Sequence, residues 1–178
     1  MDGTTVIRYF VPSAALLVCM LSGCMPAATD ANPDAAGDAL IDRYVGTWDL
    51  DELFAEPALA AELGALLGER LEHVMFALDV TGGIEYYGGG LLVSGNAPHA
   101  GGENEAIVCM QPFGADVQVH VGHYIDDTIT LYTRQTRYDF LPTCIKDWVG
   151  LRNARHAHRL RQPANVRLQT AASRSATP

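Results

Sequence analysis

The stretch Asp116-Val117-Gln118-Val119-His120-Val121 alternates apolar and polar residues at a period of two, as a half-buried β-strand does. That period puts Val117, Val119 and Val121 on a core side and leaves Gln118 and His120 pointing to a wet side. Working outward, residues 84–87, 90–94 and 106–111 before it and 128–133 after it also read as strands. The first two are bounded by glycines, and Asp127 precedes the last. Strands in such close succession predict an antiparallel meander of about five members.

Upstream of the strands the apolar period lengthens. Pro57 suits the first turn of a helix, Leu59, Leu63, Leu66 and Leu67 recur at helical spacing, and Gly68 is a natural stop. Leu71, Val74, Met75 and Leu78 resume the pattern, so residues 51–78 are expected to be helical with breaks. Downstream, residues 142–155 read as a short helix whose apolar side carries Ile145, Trp148, Val149 and Leu151. The expected fold class is therefore α+β: an antiparallel sheet of about five strands, with N-terminal helices and a short C-terminal helix packed on it.

The N-terminus carries an address. After a single Arg8, the apolar run at 11–21 is shorter than the ~20 residues a membrane-spanning helix needs. It closes on Leu21-Ser22-Gly23-Cys24, which resembles the lipobox of bacterial lipoprotein precursors. The resemblance implies cleavage before Cys24 and acylation of its thiol, each buried methylene adding about 0.8 kcal/mol of membrane affinity. The alternative is an ordinary secretory signal with Cys24 as a plain thiol. Met25 stands where, in the enterobacterial sorting rule, an aspartate retains lipoproteins in the inner membrane. A periplasmic, lipid-anchored protein of the outer membrane is expected. The domain plan is a signal peptide at 1–23, a flexible tether rich in Ala, Pro, Asp and Gly at 24–40, a domain at 41–155, and a basic, disordered tail at 156–178.

Charge is unevenly placed. Residues 24–147 hold twenty acids against five bases, a balance of −15, whereas residues 148–178 hold six arginines and no acid. An acidic body steers cationic partners and argues against nucleic acid. Of the four cysteines, Cys109 and Cys144 remain once the signal and the acylated residue are set aside. An oxidising periplasm permits a disulfide between them, and their apolar surroundings equally suit two free buried thiols.

Residues 93–105, VSGNAPHAGGENE, form the longest polar, Gly-rich stretch between two strands, the kind of segment that carries binding groups. Pro98 restricts the backbone just before His99 and so displays the imidazole. From Val93 through Ser94, Pro98 and His99 to Ile107 and Val108, the chain resembles the protruding loop of the Ivy family, periplasmic inhibitors of vertebrate c-type lysozyme. The order of elements over roughly residues 48–150 agrees. The resemblance implies that His99 enters the lysozyme cleft and contacts both catalytic carboxylates, with Pro98, Asn96 and Ser94 completing the inhibitory loop. A retaining glycosidase holds its two carboxyls only ~5 Å apart, and an imidazole can hydrogen-bond both. The partner implied is a lysozyme-type peptidoglycan hydrolase, and the reading leaves room for a homodimer.

The departure is specific. Where the family loop carries a cysteine on each side of Pro-His, this chain has Asn96 and Gly101, so a lipoprotein form without the loop disulfide is expected. Asn96, Glu103 and Asn104 are then the residues available to order the loop by local hydrogen bonds.

Other chemistry is poorly supported. His120 and His123 fall on opposite faces of a strand and make no metal pair, and His156 and His158 lie among arginines that repel a cation. Ser94 and His99 lack the strand-turn-helix elbow of a serine hydrolase, and the glycines at 88–90 have neither the helix nor the lysine of a phosphate loop. The expectation is no enzyme, no cofactor and no metal. A structural or ligand-binding envelope lipoprotein is the second reading, and a deep apolar pocket would favour it. An immunity protein against a secreted cell-wall hydrolase shares the chemistry of the first reading and differs in target.

Overall fold

The computed structural model describes residues 35–113, 116–153 and 162–171, all within a compact unit spanning Ala31–Pro178. The expected signal peptide, Cys24 and the tether to residue 34, the last two residues of the expected domain at 154–155, and the tail at 156–161 and 172–178 lie outside the described residues.

Strands β1 (Val80–Tyr87), β2 (Gly90–Asn96), β3 (Asn104–Phe113), β4 (Asp116–Ile125), β5 (Thr128–Thr133) and β6 (Val166–Thr170) form one sheet in that order. The first five make the antiparallel meander that the alternation predicts. A sheet of five antiparallel strands is nevertheless a correction to make. β6 joins as a sixth and runs parallel to β5, with Ile129 opposite Val166 and Leu131 opposite Leu168. It arises from the segment read as a basic tail, where Val166 and Leu168 alternate with Arg167 and Gln169. Parallel neighbours need a long crossover, commonly helical, and α5 (Thr143–Arg152) lies in it.

Helices α1 (Ala35–Tyr44), α2 (Leu50–Ala55), α3 (Pro57–Leu67) and α4 (Leu71–Phe76) precede the sheet. Pro57 opens α3 as expected, and Leu59, Leu63, Leu66 and Leu67 are all buried. They pack with Ile84, Leu91, Val93, Val108, Val119 and Val121 from one side of the sheet, each fully buried Leu or Ile worth about 1.5–3 kcal/mol over exposure. α1 takes residues 35–40 from the expected tether. Its Leu40, Ile41 and Tyr44 reach the same cluster, and the Tyr44 hydroxyl donates to Glu56 at 2.7 Å.

The other side of the sheet is covered as well. Ile107, Cys109, Ile129 and Leu131 pack against Tyr138, Leu141, Cys144, Ile145, Trp148 and Val149 from the single turn at Tyr138–Phe140 and from α5. With both faces covered, the wet side predicted for His120 does not exist. His120 is 1% exposed, and its Nδ1 meets the Thr133 hydroxyl at 2.7 Å. Burial drives its pKa down to about 4, with the Glu62 carboxylate opposing.

Strand takes up both ends of the polar stretch at 93–105. Pairing continues through Ser94–Ile107, Gly95–Ala106 and Asn96–Glu105, so only residues 97–103 remain as a loop. Gly95 makes this possible: a Cβ there would lie 2.6 Å from the Val80 carbonyl oxygen, where β1 crosses.

Candidate functional site

The hairpin between β2 and β3 is closed at its base by Ala97 N–H donating to the Asn104 carbonyl at 2.9 Å. Ala97 itself is 1% exposed, which anchors the near arm. Ala100 N–H then returns to the Ala97 carbonyl at 3.0 Å, enclosing Pro98 and His99 in a β-turn. His99 has φ +59°. Proline at the second position and a positive φ at the third are the pattern of a type II turn, and for a residue with a Cβ the left-handed region costs about 1–2 kcal/mol. Both side chains are exposed at the tip, and among the described residues no hydrogen bond holds the imidazole.

The far arm is tied in three ways. Glu103 and Asn104 donate to the Ala100 carbonyl at 3.1 and 3.0 Å. The Asn104 side-chain oxygen accepts from His123 Nε2 at 2.9 Å, and burial, followed by the nearby His73 and Arg70, lowers the His123 pKa. Gly102 N–H donates to Glu105 Oε1 at 2.7 Å. Glu105 is buried in β3, and its other oxygen pairs with Arg152 at the end of α5. Asn96 donates to the Ala97 carbonyl at 2.8 Å. A Cβ on Gly101 would sit 3.8 Å from the Asn96 side chain, so positions 96 and 101 face each other across the loop.

Of the residues singled out in the sequence, Pro98 and His99 occupy the tip. Asn96 and Ser94 lie below it, half-buried, lining an open recess of about 390 Å³ with Thr81, Glu105, Trp148 and Arg152. Beside the loop, the end of β4 and the turn after it bring Tyr124, Asp126 and Asp127 next to Gly102 and Glu103, with the Tyr124 hydroxyl donating to Asp127 at 2.8 Å. The hairpin end of the sheet is thus anionic. A larger recess of about 570 Å³ on the helical side is open and ringed by Asp49, Asp51, Glu52 and Asp79 around Trp48. Among the described residues no cluster of three His, Cys, Asp or Glu suits a metal ion, and no helix is long and apolar enough to cross a membrane.

The profile of a family described as inhibitor of vertebrate lysozyme (Ivy) matches residues 58–154. The chain belongs to the Ivy family. The match runs from the start of α3 past the end of α5 and includes the hairpin; α1, α2 and β6 lie outside it. Comparison with curated proteins and with solved structures returned no match. Ivy proteins are periplasmic, non-catalytic inhibitors, and this one is not an enzyme.

One expectation attached to the family is overturned. Where an Ivy form lacking the loop disulfide was expected, the protein does hold a disulfide, Cys109–Cys144, with a Cα–Cα distance of 6.4 Å. It joins β3, the strand leaving the hairpin, to the first turn of α5. The open choice between a disulfide and two buried thiols is thereby resolved.

Glu105 and Arg152 were not singled out in the sequence. The one available signal is local: an acid three residues after Gly102, at the start of an apolar strand, is placed to accept from that amide. Nothing in the spacing points to Arg152.

Proposed function

We propose that the protein is a lipid-anchored periplasmic inhibitor that blocks the cleft of a lysozyme-type peptidoglycan hydrolase with its Pro98–His99 hairpin. The observation carrying this reading is the hairpin itself, with an exposed imidazole at the tip of a loop whose base and far arm are already hydrogen-bonded. A loop ordered before contact avoids about 1 kcal/mol of entropy cost for each residue it would otherwise immobilise.

The chemistry suits a retaining glycosidase. Its general acid is protonated and its nucleophile ionised, ~5 Å apart. A neutral imidazole offers one acceptor and one donor, matching that pair without any bond being broken. Lysozymes are typically cationic, and the −15 balance over residues 24–147 supplies the complementary field. Acylation of Cys24 in Leu21-Ser22-Gly23-Cys24 and anchoring at the outer membrane would hold the inhibitor beside the wall that such an enzyme attacks.

The test is inhibition of c-type, g-type and bacterial lysozymes by the purified protein, with His99→Ala as control. Inhibition of at least one class, lost in the control, is expected. Failure against every class, or full inhibition by His99→Ala, overturns the reading. Mass spectrometry of the protein from membranes checks the acylation of Cys24.

A further inference from the structure

One of the ties on the far arm of the hairpin ends on a buried charge. Glu105 is 7% exposed, on the face of β3 that turns toward α5, beside Trp148 and Arg152. A carboxylate in such a place must be satisfied by donors or a counter-charge. Its two oxygens divide the task. Oε1 accepts from Gly102 N–H at 2.7 Å, and Oε2 pairs with Arg152. Arg152 is the last residue of α5, and its guanidinium lies 5.8 Å from the centre of the Trp148 ring.

We propose that Glu105 is the positioning residue of the His99 hairpin, holding its far arm through the Gly102 amide, with Arg152 as the counter-charge that keeps the carboxylate in place. The proposal rests on His99 being the inhibitory group. Glu105 does not touch the target; it acts through the backbone. Glu105 is also the strand partner of Asn96 on one side and of Tyr124 on the other, so the backbone from which its carboxylate reaches is set relative to both arms of the hairpin and to the neighbouring strand. Gly102, with φ +87°, is the point at which the far arm turns back toward the strand. A charge-assisted bond there is stronger than a neutral one. It leaves the Pro98–His99 turn no freedom to swing on its far side. Without Arg152 the carboxylate would be drawn to the adjoining recess and its water, taking the acceptor away from Gly102.

Arg152→Met keeps an aliphatic stem against Trp148, leaves the disulfide in place and alters no strand, so it tests the arrangement without threatening the fold. The measurements are amide hydrogen exchange at Gly102 and inhibition of whichever lysozyme the unaltered protein blocks. Exchange at Gly102 is expected to quicken about 10- to 100-fold, the loss of one charge-assisted bond, while Ala97 at the hairpin base keeps its rate. Inhibition should weaken about tenfold. Adding Asn96→Cys with Gly101→Cys to Arg152→Met should restore inhibition, because a cross-link replaces the missing tie. Unchanged exchange at Gly102 overturns the proposal, and so does weakened inhibition that the cross-link fails to rescue. If the unaltered protein inhibits no lysozyme, the proposed function falls, and Gly102 exchange in Arg152→Met and in Glu105→Gln still decides whether Glu105 holds the loop.

Discussion

The indole of Trp148 occupies the space that a Cβ on Gly122 would need, its Cζ3 lying 2.7 Å from that position. Ile107 Cγ2 crowds the same point at 2.8 Å. Gly122→Ala should therefore lower stability by about 1–3 kcal/mol, the usual cost of overpacking a filled core. Chemical denaturation would show a reduced midpoint. A pairing of Gly122→Ala with Trp148→Phe should recover part of the loss if the clash with the indole is its cause.

Breaking Cys109–Cys144 frees a cross-link that spans 35 residues of sequence. Loop-closure entropy assigns such a link about 4 kcal/mol. Cys144→Ser, or reduction by dithiothreitol, is expected to lower the melting temperature accordingly. An unchanged melting curve would show that the packing of Ile145, Trp148 and Val149 holds α5 unaided.

Acid should weaken the fold through His120. Its pKa is 6.5 when unfolded and about 4 in the folded protein. Between these values the unfolded chain binds a proton that the native state refuses. The stability is therefore fully present above 6.5 and is lost as pH falls toward 4, by up to about 3 kcal/mol. His123, also lowered by burial, adds to the loss with the same sign. Denaturant midpoints at pH 7 and 4.5 measure the drop, and His120→Gln should flatten it.

His99→Ala should abolish inhibition while leaving the melting temperature within about 0.5 kcal/mol of equivalent stability, as for an exposed residue without partners. The association rate of the unaltered inhibitor should fall steeply with added salt, since steering between an acidic and a cationic protein is screened over about 10 Å at 0.1 M. A salt-independent rate in stopped-flow mixing would remove the charge argument.

The alternation in residues 116–121 and 128–133 was enough to place β4 and β5, because a period of two has few other readings. It was not enough to tell whether the far side of the sheet is wet. That depends on where α5 docks, and an amphipathic segment announces its apolar side without naming the surface that receives it. His120 was misplaced for this reason. β6 was hidden differently: Val166 and Leu168 alternate correctly, but five residues among arginines make a faint signal, and parallel pairing needs a crossover that local patterns do not reveal. The Pro98–His99 tip was legible because proline constrains its neighbour. The Glu105–Arg152 pair was not, since it joins two elements brought together only by the packed fold.

Glu105 and Cys109 are four residues apart on β3, about 13 Å along the strand, and both are fastened to α5, one by charge through Arg152 and one by a covalent bond. A strand held at two such points cannot slide against its helix. Slippage by a single residue would turn every side chain of β3 to the opposite face and swing the hairpin with it. The disulfide thus acts as an indexing pin: it sets the direction in which the imidazole at the far end of the strand is aimed, although it touches no part of the loop.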